Sequence, residues 1–205
     1  ATMRLSNFAQ NGLWVVNGEM DRQDLRHNSE VGNWVNMTDL TYNNPDSPEW
    51  YGKHYRLYHP ETNALLCPDT IRSWFDHPLY KVFYNDAVSD ANEWQGARSG
   101  SNGNLYQFRL AETYLLRAEA KLYQGRADEA AEDVNIIRRR ANAKQMYTTV
   151  NIGDIANERA RELFLEEFRK VELTRISMCL AKSGVPDEWG NTYGTDWDKQ
   201  SGTSL

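Results

Sequence analysis

Two groups of side chains in this sequence could do chemistry. The first is a row of carboxylates, Glu158, Glu162 and Glu166, recurring every four residues. Glycoside hydrolysis needs two carboxyl groups flanking the scissile bond, each held in a cleft that tunes its protonation. A row along one helical face provides no such cleft. These glutamates are therefore expected to pair with neighbouring arginines at a buried edge.

The second group is aromatic. The 205 residues include seven Trp and eleven Tyr, side chains that join a flat apolar face to a polar handle. Buried, they are large core pieces; exposed, they are platforms for the C–H face of a sugar ring, with Asn, Asp and Arg bonding the hydroxyls. Trp14, Trp34, Trp50, Trp74, Trp94, Trp189 and Trp197 all lie outside the helical stretches. Trp50, Tyr51, Tyr55 and Trp94 stand in turn-rich, polar surroundings and are the candidate ligand-stacking residues. Packing of a long loop is the competing role for each of them, and Trp74 is assigned to packing.

Other chemistries find little support. The histidines His27, His54, His59 and His77 show no helical His-x-x-x-His spacing, so no zinc site is expected. Asp196-Trp197-Asp198-Lys199-Gln200 opens like a calcium loop, but Ser201 stands where that loop needs glycine. Cys67 and Cys179 are far apart and read as small hydrophobes, without a disulfide framework. No nucleotide-binding or nucleophile motif occurs, and no cofactor is expected. The net charge of −6 and pI near 5.3 disfavour nucleic acid as a partner. The basic run Arg138-Arg139-Arg140 is expected to be a solvated helix face. No apolar run reaches the ~18 residues of a membrane span.

The elements that must position these groups change character near residue 105. Before it stand five of the six prolines, Pro45, Pro48, Pro60, Pro68 and Pro78, each disfavouring helix. Short extended runs are expected at Leu13–Val16 before Asn17-Gly18, at His54–Tyr58 and at Lys81–Tyr84. From Tyr106, Phe108, Ala111, Leu115, Ala118 and Leu122 make one apolar stripe, ended by Gly125. Ala127, Ala130, Val134, Ile137 and Ala141 make a second. Helices are thus predicted over 106–124 and 127–141, folded back antiparallel, with small Ala118 and Ala130 at the crossing as in a tetratricopeptide (TPR) hairpin. A third long helix is predicted over about 155–182, with Asp154 as N-cap, an apolar face of Leu163, Phe164, Phe168 and Val171, and Glu–Arg/Lys pairs elsewhere. The expectation is a mainly α fold: a TPR-like hairpin plus a long helix, with a loop-rich region carrying a few short strands. The segments are 1–105 (aromatic loops), 106–184 (helical) and 185–205 (loop).

Three blocks carry a family resemblance. Tyr106-Gln-Phe-Arg-Leu-Ala-Glu-Thr-Tyr-Leu-Leu-Arg-Ala-Glu-Ala-Lys121, then Ala130-Ala-Glu-Asp-Val-Asn-Ile-Ile-Arg-Arg-Arg-Ala141, then Glu158-Arg159 to Glu162-Leu163, Glu166 and Arg169 follow in order. Together they resemble the carboxy-terminal TPR signature of the SusD/RagB family, and Arg72 to Lys81 is similar to a further family stretch. The resemblance implies a non-enzymatic, surface-anchored lipoprotein of the outer membrane. Such a protein captures oligosaccharides or other nutrients for a SusC-like TonB-dependent transporter, and touches the membrane only through a lipid anchor not present in this sequence. It also implies that the chain is the carboxy-terminal half to two-thirds of a longer protein, without its tail. Residue patterns alone leave two rivals: a TPR-type protein-interaction scaffold and a carbohydrate-active enzyme.

Overall fold

The computed structural model describes residues 5–46, 48–56, 58–59, 61–66, 76–78 and 107–194. The chain divides into two compact units, residues 1–83 and 84–205. The described residues are mainly helical, with two small two-stranded sheets.

The first unit is built from turns around a small aromatic core. Ser6 caps the one-turn helix α1 (Asn7–Gln10), its hydroxyl accepting from the Ala9 N–H. Strands β1 (Val15–Val16) and β2 (Glu19–Met20) form a hairpin. Its turn residues Asn17 and Gly18 both have positive φ, which a two-residue hairpin turn of primed type requires. The expected extended run is shorter than its apolar pattern, because Leu13 and Trp14 lie in a 3-10 turn. Strands β3 (Trp34–Val35) and β4 (His77–Pro78) pair antiparallel. Leu13, Trp14, Val16 and Trp34 are buried, with the His27 ring stacked on Trp14 at 4.5 Å and edge-on to Trp34 at 4.3 Å. Burial lowers the His27 pKa, opposed by its ring N–H donating to the Gln10 carbonyl. Over His54–Tyr58 no strand forms among the described residues; single bridges Thr41↔His54 and Tyr58↔Leu65 stand there instead. The expected run Lys81–Tyr84, Cys67, Trp74 and the Asp196–Ser201 loop lie outside the described residues.

The second unit contains helices α2 (Leu110–Tyr123), α3 (Ala127–Arg140), α4 (Ile152–Glu162) and α5 (Arg169–Ser183). Gly125, at φ 77°, turns the chain between α2 and α3. Cross-helix contacts run Arg117 to Asp133 and Lys121 to the Glu129 carbonyl, closing toward that turn as an antiparallel pair must. Ala118 and Ala130 are both wholly buried. Helix α2 begins at Leu110, later than the stripe suggests, and Phe108 ahead of it is 83% exposed.

The third predicted helix is two helices. Residues 163–168 break it, with Leu165 at φ 62°. No glycine or proline marks the break; side chains from elsewhere tie it. Arg109 donates to the Glu162 carbonyl at 2.9 Å and to the carboxylates of Glu162 and Glu166. Arg169 reaches back to the Ala156 carbonyl, and Arg159 to Glu167. A straight helix would give up these partners. The break also reverses part of the expected apolar face: Leu163 is buried, but Phe168 is 84% exposed and Val171 is exposed. Burial passes to Ile152, Ile155 and Ala156 on α4 and to Ile176, Leu180 and Ala181 on α5.

Candidate functional site

The aromatic candidates are organised by one backbone crossing. At the Thr41↔His54 bridge, the Tyr42 N–H donates to the Lys53 carbonyl at 3.0 Å and the Tyr55 N–H to the Leu40 carbonyl at 2.8 Å. Side chains alternate along extended chain, so Tyr42 and Tyr55 fall on one side. Their rings stack with centroids 4.3 Å apart and planes 8° from parallel. A tight turn, Trp50 to Lys53, closes on itself through the Lys53 N–H and the Trp50 carbonyl, with Gly52 at φ 76° donating to the Tyr42 carbonyl. The turn places the Trp50 ring 5.8 Å from Tyr42 and edge-on to His59 at 5.6 Å. His59 is fixed in turn, its Nδ1 accepting from the backbone N–H groups of Glu61 and Thr62. The Lys53 ammonium lies 5.4 Å from the Trp50 ring centre.

Two of the four sequence candidates, Trp50 and Tyr55, therefore meet, through a third ring, Tyr42. All three are half-buried, the state of a ring packed on one side and wet on the other. Tyr51 is 58% exposed and makes no ring contact among the described residues. Trp94 lies outside them. Sequence reading missed Tyr42, Lys53 and His59, because the pairing of residue 41 with 54 has no local signal. Trp14 and Trp34 are core pieces. Trp189 is exposed on a turn held by the buried Asp187, which accepts from the Trp189 and Asn191 backbone N–H groups and from the Tyr193 hydroxyl. Burial works against the Asp187 charge, but these hydrogen bonds outweigh it and hold the carboxyl below its usual range.

The carboxylate row is occupied by guanidinium groups. Glu158 is wholly buried between Arg138 at 3.0 Å and Arg161 at 3.1 Å. Glu162 lies between Arg109 and Arg140, and Glu166 against Arg109. The expected pairing of this row with arginines is present. Arg138 corrects another expectation. It is wholly buried, donating from Nε to the Gln145 carbonyl at 2.6 Å and lying over the Tyr147 ring; Arg139 and Arg140 are exposed. It follows Val134 by one turn and so shares the buried stripe. Elsewhere Arg175 grips the buried Glu119 with two nitrogens, and Asp133 takes Arg117 and Lys121. Burial opposes the Asp133 charge, but hydrogen bonds from Arg117 and Lys121 hold its pKa down. Among the described residues no cluster of three or more His, Cys, Asp or Glu could hold a metal ion, and no helix is long and apolar enough to cross a membrane.

Charged residues of the three sequence blocks are thus members of this ion-pair frame: Arg109, Glu112 and Glu119 from the first, Arg138 and Arg140 from the second, Glu158, Arg159 and Glu162 from the third. Comparison with known proteins points the same way. Over 124 residues the chain is 39% identical to the starch-binding protein SusD of Bacteroides thetaiotaomicron, an alignment covering 55% of this chain and 20% of that protein. The chain therefore spans about a fifth of the length of that curated relative. No solved structure matches. Residues 19–203 match the SusD family, and the chain belongs to that family.

Proposed function

We propose that the chain is part of a non-catalytic saccharide-binding protein of the outer-membrane surface, held there by a lipid anchor. It captures oligosaccharides at the Tyr42–Trp50–Tyr55 cluster and delivers them to a SusC-like TonB-dependent transporter. The observation that carries this reading is the cluster itself: three half-buried rings brought together on turns, with the Lys53 ammonium over Trp50 and His59 edge-on to it. Sugars offer C–H faces to such rings, and their hydroxyls need polar neighbours. The name of the relative, a starch-binding protein, makes glucose oligomers one of the ligands to test first. Tyr51, exposed on the Trp50–Lys53 turn, extends the platform in this reading, and Trp94 stays a proposed ligand contact outside the described residues. Family membership and the guanidinium-locked glutamates favour binding over hydrolysis.

The test is calorimetric titration of the full-length protein with oligosaccharides. Trp50→Ala and Tyr55→Ala each weaken binding by about 1–3 kcal/mol, as loss of a stacking ring does with other flat ligands, while the melting temperature barely moves. Unchanged affinity with a large fall in melting temperature would assign these rings to the core. Product release from an oligosaccharide, abolished by Glu166→Gln, would replace binding with catalysis.

An interaction scaffold remains the second reading, favoured by one feature. Phe108, Leu110, Tyr114, Ile136 and Arg140 line an open groove of about 660 Å³ beside α2 and α3. If Leu110→Asp abolishes capture of the transporter while saccharide affinity is unchanged, that groove is a protein-docking face.

A further inference from the structure

We propose that the saccharide taken by this platform is anionic, its carboxylate or sulfate received by the Lys53 ammonium. The inference rests on the saccharide reading above and narrows its ligand class.

Lys53 belongs to the aromatic side of the crossing. It stands opposite Tyr42 across the bridge, and extended-chain alternation puts it beside Tyr42 and Tyr55 rather than with His54. Its ammonium rests over Trp50 and, among the described residues, has no carboxylate or other hydrogen-bond acceptor as partner. Arg109, Arg117, Arg138, Arg159, Arg161 and Arg175 lie against carboxylates, whereas Lys53, like the exposed Arg139, Lys170 and Lys182, forms no ion pair among the described residues. The contrast is local in sequence as well. Lys53-His54-Tyr55-Arg56-Leu57-Tyr58-His59 carries two fixed cations, two imidazoles and no acid, in a chain of net charge −6. His54 and Arg56 are exposed, and their side chains too make no ion pair among the described residues. The acids nearest in sequence, Asp46, Glu49 and Glu61, make no ion pair with any of these cations.

Competition for the Trp50 face makes the choice. A sugar that stacks on the Trp50 face beneath the ammonium must share it with Lys53. A neutral sugar displaces a cation–π contact and returns only ordinary hydrogen bonds. An anionic sugar leaves the ammonium beside the ring and takes a charge-assisted hydrogen bond from it, roughly twice as strong as a neutral one. Because the group is exposed, the attraction is screened by salt.

The experiment titrates the full-length protein with matched pairs: an oligogalacturonide and its fully methyl-esterified form, and a sulfated chondroitin oligosaccharide and its desulfated form. The charged member of at least one pair binds up to about fivefold more tightly than the neutral one, as an exposed ion pair provides. The pair that discriminates shows whether carboxylate or sulfate is read, and the advantage shrinks in high salt. Lys53→Met, which keeps an apolar stem on Trp50, erases the difference between the charged and neutral forms; Lys53→Arg restores it. Equal binding of charged and neutral forms, undisturbed by Lys53→Met, overturns this inference and leaves saccharide binding standing. If neither these probes nor neutral gluco-oligosaccharides bind, both readings fall.

Discussion

Replacing Glu158 with glutamine separates a structural carboxylate from a catalytic one by the sign of its effect. The side chain is wholly buried and accepts from two guanidinium groups, Arg138 and Arg161, which are themselves almost wholly buried. Arg138 has further anchors, the Gln145 carbonyl and the Tyr147 ring, so it cannot swing out to water when its partner is lost. Glu158→Gln keeps the volume but leaves two buried positive charges facing an amide. Removing one partner of a buried pair costs about 3–5 kcal/mol, mostly from the stranded charge. At about 2–4 °C per kcal/mol for a chain of this size, the midpoint should fall by roughly 6–20 °C. Arg138→Met should cost less, since Glu158 keeps Arg161. Combined in one chain, the two changes should cost less than their sum, with a coupling of about 1–3 kcal/mol. Urea and thermal unfolding followed by circular dichroism measure all three. Carboxylates held for chemistry commonly cost the fold stability. A Glu158→Gln protein as stable as the parent, or more so, would refute the structural role assigned to the carboxylate row.

Three further outcomes check the frame. Ala118→Leu should overpack the α2–α3 crossing, where Ala118 and Ala130 are wholly buried, and lower unfolding free energy by about 1–3 kcal/mol; no loss would mean that the helices do not meet there. Leu165→Gly tests the break between α4 and α5. Leu165 is exposed and left-handed, so glycine should relieve a penalty of about 1–2 kcal/mol, whereas in an unbroken helix the same change would cost about 1 kcal/mol. Glu188 tests pH dependence. Its carboxyl is pressed against Gly153, one oxygen is buried without a partner, and burial raises its pKa, with nearby Asp187 and Asp154 adding to the shift against the Arg169 charge. A raised carboxyl pKa means the folded state holds the proton more tightly, so this stabilisation is complete below the ordinary glutamate pKa and disappears as pH rises through the folded value. Glu188→Gln should therefore melt higher than the parent at neutral pH, with the difference vanishing in mild acid; a constant difference across pH would contradict it.

The helical hairpin was legible in the sequence because its causes are local. Leu115, Ala118 and Leu122 face Ala130, Val134 and Ile137 at helical spacing, and Gly125 supplies the turn. The break in the third helix was not legible, because it is tied by Arg109, 53 residues away from Glu162, and no turn-forming residue marks it. Arg138 lay in between. As part of a basic triplet it read as solvated, yet its position one turn after Val134 already placed it on the buried stripe. At the aromatic site, residue types and polar surroundings singled out Trp50 and Tyr55. What sequence could not supply was the crossing of residue 41 with residue 54, which inserts Tyr42 between them and sets Lys53 over the indole. Short, irregular pairings of this kind follow from tertiary packing and leave no periodic trace.

Nuclear magnetic resonance of the full-length protein bound to its oligosaccharide shows whether a saccharide lies on the Tyr42–Trp50–Tyr55 rings. Sugar C–H protons over these rings should give intermolecular Overhauser contacts to the Trp50 indole and Tyr55 ring, with upfield ring-current shifts of the sugar resonances. A bound oligosaccharide whose contacts all lie on other residues, with the Trp50 resonances unmoved, would place the binding site elsewhere.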